Sequence, residues 1–297
     1  MTMVYPDYYN EFHCIADKCR HSCCVGWEID IDSDTLDYYK GIGGEIGRDL
    51  KDNILENADG ACFKPEDGER CPFLTEKGLC RLITELGEES LCDICAEHPR
   101  FYNEYESYTE AGLGLCCEEA ARIILTQKNK MYLFADDEIG DEDREFFDFK
   151  SGILDLLQNE TLPLSEALEK MLALCGARPL CVKEDEFKAL IPKLEFMDDI
   201  LPVRLDWIHG DITTACADVK GFERELRHLA AYFVYRHVTG KESAGDKAYF
   251  AALNVSLVSA LFAAEKDKTT EKLIDISRLY SAEIEYSDLN EDILIMK

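Results

Sequence analysis

The stretch Phe12–Trp27, FHCIADKCRHSCCVGW, places Cys14, Cys19, Cys23 and Cys24 close together and sets the reading of the whole N-terminal region. The pattern continues outward as Cys62, Cys71-x8-Cys80, Cys92-x2-Cys95 and Cys116-Cys117, so that eleven of the fourteen cysteines fall in the first 117 residues. Only Cys175, Cys181 and Cys216 follow. Cysteine used as a small apolar residue would be spread through the core. Clustering at short spacing points instead to metal ligation, redox thiols or disulfides. The first ten residues, MTMVYPDYYN, have neither the basic n-region nor the apolar h-region of a signal peptide. A cytoplasmic location is therefore expected, where thiols stay reduced. A chain of 297 residues can also bury a core without a disulfide frame. Metal ligation is the expected role, ahead of a thiol relay and of structural disulfides.

Composition is that of a globular protein, 46% hydrophobic and 31% charged, but the net charge is −29. Binding to nucleic acid needs an excess of Lys and Arg, so this class of partner is excluded. The same charge suits steering of a basic protein or peptide, or serves solubility alone. The most apolar stretch, Tyr249–Ala264, spans 16 residues, which is short for a membrane span. No membrane association is expected.

Breaker signals at Gly41-Ile42-Gly43-Gly44, Asp59-Gly60, Asp67-Gly68 and Lys77-Gly78 mark the cysteine-rich part as loop-rich, with a short helix over Asp34–Lys40. Loops of this kind need staples, which a metal centre supplies. Residues 118–130 read as a helix with Glu at its start and Lys at its end. The acidic run Asp136–Asp148 reads as a connector and the start of the next helix. Helical periodicity then dominates, with helices expected over Phe222–Gly240, Lys247–Lys268, Glu271–Ile284 and Asp288–Met296. No stretch keeps the period of two that marks a half-buried strand. The expected architecture is mainly α: a loop-rich, cysteine-clustered metal-binding region over residues 1–130, then an acidic connector and a helical bundle over 131–297.

Soft thiolates select iron–sulfur centres, zinc or Cu(I), and iron–sulfur clusters draw their ligands from one short loop and one distant residue. Cys14-x4-Cys19-x3-Cys23 has longer gaps than the C-x3-C-x2-C loop of radical S-adenosylmethionine enzymes. A zinc ribbon needs two C-x2-C knuckles, and only Cys92-x2-Cys95 qualifies. His13, His21 and His98 lie beside cysteines and are expected as surface or core residues. His228 and His237, with Arg224, Arg227 and Arg236, are expected to pair with Asp and Glu. The glycines of Gly41–Gly47 lack the preceding strand that a dinucleotide site requires and read as a loop.

Three segments carry a resemblance: FHCIADKCRHSCCVGWEIDID, CPFLTEKGLCRLITELGEESLCDICAEHPRFY and LCCEEAARIIL. The similar features are Cys-Cys-x-Gly-Trp, Cys-Pro-Phe-Leu with Gly-Leu-Cys after it, Cys-x-x-x-Pro-Arg, and a helix beginning Cys-x-Glu-Ala-Ala-Arg. Together they resemble the flagellin lysine N-methylase family over residues 8–125, a region that overlaps a wider class of zinc- or iron-chelating cysteine domains. The resemblance implies transfer of a methyl group from S-adenosyl-L-methionine to lysine in a protein substrate such as flagellin, with a 4Fe-4S cluster, zinc being the alternative metal. Carried over residue by residue, it implies Cys14, Cys19, Cys23, Cys24, Cys71, Cys80, Cys95 and Cys117 as metal ligands, while Cys62, Cys92 and Cys116 are departures. Eight exceed one four-iron cluster, so either four ligate and four pack, or a second metal is present. No S-adenosylmethionine motif and no catalytic base can be named. The alternative function is a non-enzymatic zinc- or iron-stapled scaffold for a basic partner.

Overall fold

Helix dominates the described residues, with fourteen α-helices against seven strands of two to six residues. The computed structural model describes residues 1–295 apart from Asp59. Asp59, in one expected breaker pair, and Met296, the expected end of the last helix, lie outside the described residues. The chain divides into two compact units, His13–Arg100 and the combination of Met1–Phe12 with Phe101–Lys297. These boundaries differ from the division at 130/131 expected from the acidic run. The reason is that β1 (Thr2–Pro6) pairs with strands far along the chain, so the first residues and residues 101–130 belong with the helices.

The His13–Arg100 unit is more ordered than a set of stapled loops. After β2 (Asp30–Ile31) come α1 (Ser33–Gly41) and α2 (Gly44–Asn53), then β3 (Ile54–Glu56) and β4 (Ala61–Phe63). The three strands form one antiparallel sheet in the order β2-β4-β3. Two short helices, α3 (Arg81–Leu86) and α4 (Asp93–Glu97), complete the unit. The glycine-rich segment expected as a loop is a helix–helix corner. Gly41 ends α1, Gly44 opens α2 in the left-handed region at φ 78°, and a Cβ on Gly47 would collide with the Ile42 carbonyl oxygen.

In the other unit a four-stranded sheet has the order β5-β6-β1-β7, with β5 at Arg100–Glu104, β6 at Tyr108–Leu113 and β7 at Leu133–Ala135. β1 runs parallel to β6 and antiparallel to β7. All six residues of β6 are buried, which removes the alternation that would have announced a strand. The sheet is followed by α5 (Glu118–Leu125), α6 (Asp141–Leu157), α7 (Leu164–Leu174), α8 (Glu184–Lys188), α9 (Ile200–Asp206) and α10 (Ala215–Asp218). The long C-terminal helices are α11 (Glu223–His237), α12 (Ala244–Ala264), α13 (Thr270–Ile284) and α14 (Asp288–Ile295).

α12 starts earlier than its apolar run suggests and reaches 21 residues. It is long and apolar enough to cross a membrane, contrary to the expectation from the 16-residue stretch, yet 83% of its apolar window is buried inside the fold. It packs against α7, α10, α11, α13 and α14 as the central core helix. α11 joins this core to the sheet: Tyr235 donates its hydroxyl to the carbonyls of Val4 on β1 and Ala111 on β6, both at 3.0 Å.

Candidate metal centre

Three backbone devices gather the cysteines of the His13–Arg100 unit. The amide of Cys71 donates to the carbonyl of Cys24 at 2.8 Å, so the first cysteine segment is paired directly to the second. The turn between Cys71 and Cys80 is closed by a bridge between Leu74 and Cys80. Arg70 supports it by donating to the carbonyls of Leu74 and Thr75. Asp32 caps α1 by accepting from the Thr35 amide at 2.8 Å, and its other carboxylate oxygen accepts from the Asp93 amide at 2.9 Å. One side chain thereby fixes the start of α4, which carries Cys92 as its N-cap and Cys95 one turn on. Although burial opposes it, these amides hold the Asp32 carboxyl below its usual range.

Around this frame lies one apolar cluster in which Cys71 and Cys92 are buried and Cys24, Cys80 and Cys95 are packed at the edge. Their thiols feel one another. Burial, and then the charges of Cys24, Cys80 and Cys92, push the Cys71 thiol up to about 12, against a hydrogen bond from the Phe73 amide. Cys80 is raised by burial and by Cys24 and Cys92. The hydrogen bond from Cys23 takes Cys24 down to about 6, while that from Cys95 lowers Cys92 and raises Cys95 itself. Tyr39 stands among them with no exposed surface, its hydroxyl donating to the Ser90 carbonyl at 2.7 Å.

The eight cysteines expected as ligands are thus treated differently. Cys24, Cys71, Cys80 and Cys95 come together. Cys23 is exposed but bonded to Cys24; Cys14 is exposed and Cys19 half-buried, both beside the short helical turn Ala16–Lys18. Cys117 belongs to the other unit, as the N-cap of α5. Cys92, set aside on sequence as a departure, is the most buried thiol of the group, with no exposed surface. Its signal was present in the C-x2-C spacing, which places both thiols at one helix start. Cys62, on β4, lies against Glu28 instead, and burial with that hydrogen bond raises its pKa.

Among the described residues no three His, Cys, Asp or Glu side chains close on a point that would hold a single metal ion. No cysteine is in a disulfide. The donor types nevertheless fit a soft metal: five interacting thiols, and, at the end of the helix that carries Cys95, His98, whose buried Nε2 has no hydrogen-bond partner. Burial lowers the His98 pKa to about 4, so the ring is neutral at pH 7.

The other unit holds two polar networks, the first of which has no counterpart among the sequence expectations. Lys150 on α6 and Glu110 on β6 form an ion pair at 2.6 Å, at 1% and 0% exposure, joined by Tyr105 at 3.0 Å from the carboxylate. Tyr105 stacks on Tyr108 with centroids 4.3 Å apart, so these aromatics are core. Second, Glu285 accepts from Arg236 at 3.2 Å and His237 at 2.7 Å, the pairing expected for these two basic residues. Arg224 likewise meets Glu225. Arg227 and His228 instead meet backbone carbonyls, those of Leu157 and Leu162 and that of Gln127.

Over 139 residues, 45% of its length, the chain is 30% identical to the flagellar biosynthetic protein FliU of Salmonella muenchen, and it covers 82% of that relative. The chain belongs to the flagellin lysine N-methylase family. It is also 30% identical over 139 residues to proteins named lysine-N-methylase from Salmonella typhimurium strain LT2 and Salmonella choleraesuis strain SC-B67. The match covers 35% of each of these, so the chain spans about a third of their length. No protein-family profile matches the chain, and no solved structure matches it.

Proposed function

We propose that the protein transfers a methyl group from S-adenosyl-L-methionine to lysine side chains of a protein substrate, and that the His13–Arg100 unit carries a 4Fe-4S cluster. The observation that carries this reading is the meeting, in a lysine N-methylase relative, of Cys24, Cys71, Cys80, Cys92 and Cys95 around one apolar cluster. A four-iron cluster attaches its thiolates to different iron atoms. Such a cluster, when bound, supplies one-electron chemistry.

The chain's own residues do the positioning. The Cys24–Cys71 backbone pair, Arg70 and Asp32 hold the thiols in place. A methyl-accepting lysine must be neutral when it attacks. The charge of −29 suits a basic target, flagellin being the one in the family's name. Fourteen thiols without a disulfide go with a cytoplasmic setting.

The test is anaerobic reconstitution, iron and sulfide analysis, and incubation with labelled S-adenosylmethionine, reductant and the flagellin or proteome extract of the same organism. Methyl-lysine found by mass spectrometry, and lost with the cluster, is the expected result. Intact cluster without transfer to any supplied protein would favour the second reading, a metal-stapled scaffold for a basic partner. That reading draws on the limited match, 35% of each lysine-N-methylase.

A further inference from the structure

His98 ends α4, one helical turn after Cys95, with its amide donating to the Ile94 carbonyl at 3.3 Å. Its ring faces the indole of Trp27, with centroids 6.3 Å apart. Trp27 in turn donates Nε1 to the Cys23 carbonyl at 2.6 Å, which ties it to the first cysteine segment. The imidazole, at the end of the helix carrying Cys92 and Cys95, therefore meets the indole that is tied to the segment carrying Cys23 and Cys24. Within this unit, among the described residues, Nε2 of His98 is the one buried side-chain nitrogen or oxygen without a hydrogen-bond partner. Packing alone gives no account of it. An apolar ring would fill the same space, and a buried polar nitrogen left unmatched is unfavourable. A neutral imidazole nitrogen at the end of the helix that carries Cys92 and Cys95 has a chemical use that removes the penalty, which is to bind a soft metal.

We propose that His98, through Nε2, is a nitrogen ligand of the metal centre held by the thiols of the His13–Arg100 unit. This rests on the metal reading of that unit given above. Three or fewer of the thiols then complete the shell around the same iron centre, and the surplus of cysteines over one cluster becomes larger. A neutral imidazole in place of a thiolate removes one negative charge from the centre and raises its reduction potential, as in centres where histidine replaces cysteine on iron.

The experiment uses the full chain, reconstituted with iron and sulfide, reduced, and studied by pulsed electron paramagnetic resonance. Nitrogen hyperfine coupling of directly bound imidazole is expected, with the pattern changed in protein grown on 15N-histidine. The coupling is expected to vanish in His98→Ala and His98→Asn and to persist in His13→Ala and His21→Ala. In His98→Cys the cluster is expected to remain, without the coupling and with a reduction potential shifted downward. A paramagnetic cluster in the unsubstituted protein with no histidine nitrogen coupling overturns the proposal while leaving the metal reading intact, and needs no variant. Coupling that survives in His98→Asn also overturns it. A protein that takes up no iron or sulfide overturns the metal reading, and the ligand assignment with it.

Discussion

In the His13–Arg100 unit the buried apolar cluster has twelve members, two of them the cysteines Cys71 and Cys92. In the other unit the cluster runs through α5, α6, α7, α11, α12 and α13 and contains a single buried cysteine, Cys216. Nine of the fourteen cysteines lie in the first unit, against the largest fully buried tyrosines and phenylalanines mostly in the second. The larger unit buries enough apolar surface to hold itself together. The smaller one has short strands, two helices of five or six residues and a small core, and its thiols sit where further hydrophobic residues would otherwise be needed.

Removing metal should give the largest effect. The binding free energy of a structural metal site is folding free energy, on the order of 10 kcal/mol for zinc peptides. Amide exchange in residues 13–100 is expected to rise sharply on chelation while α11–α13 stay protected. Equal protection of both units with metal absent would break the comparison.

Lys150→Ala acts on the other unit. It leaves Glu110 buried and uncompensated, and breaking such a pair costs about 3–5 kcal/mol. A lower denaturation midpoint is expected for this unit with unchanged metal content. The double change Lys150→Met with Glu110→Leu should recover most of the loss, since an apolar pair of similar volume replaces both charges. A double variant as unstable as the single one would show that the ion pair is not the cause.

Acid provides a finer distinction. Burial would raise the Glu285 carboxyl, but Arg236 and His237 hold it below its ordinary value. Its folded-state pKa thus lies under the unfolded one, so its contribution is complete at neutral pH and is lost as pH falls below the ordinary carboxylate range. Glu285→Gln should flatten the acid limb of the stability curve for the larger unit. An unchanged limb would remove this network from the account.

The smallest effects separate ligand from packing cysteines. Cys92→Ser should lower bound iron, whereas Cys62→Ser and Cys216→Ser should leave it unchanged. Iron retained in Cys92→Ser would return Cys92 to the departures from the family pattern, outside the ligand set.

Much of the helical half was readable because its signals are local. The periods of α11 and α13 and the breakers between helices need no knowledge of partners, and their bounds agree with expectation to within a few residues. The strands were hidden because β6 is buried along its whole length and the others are two to five residues long. β1 was illegible for a further reason: its partners lie at Tyr108–Glu110 and Leu133–Ala135. The Gly41–Gly47 segment was legible as a non-dinucleotide element but not as a corner, since the Ile42 carbonyl that excludes a side chain at Gly47 is seen only when the two helices meet.

By itself the sequence determined that the protein is mainly α, strongly acidic and rich in thiols at its N-terminal end, and its motifs identified the family. These follow from composition, from period and from residue types at fixed spacing, all properties of neighbouring positions. The tertiary structure alone decided which thiols meet. Cys24 reaches Cys71 through a backbone pair, and Asp32 reaches across 61 residues to seat the helix of Cys92 and Cys95. It also decided that His98 presents a buried nitrogen without a partner. The physical reason is that ligation and burial depend on distance in space, and the chain brings remote residues together only when its core and its backbone hydrogen bonds have formed.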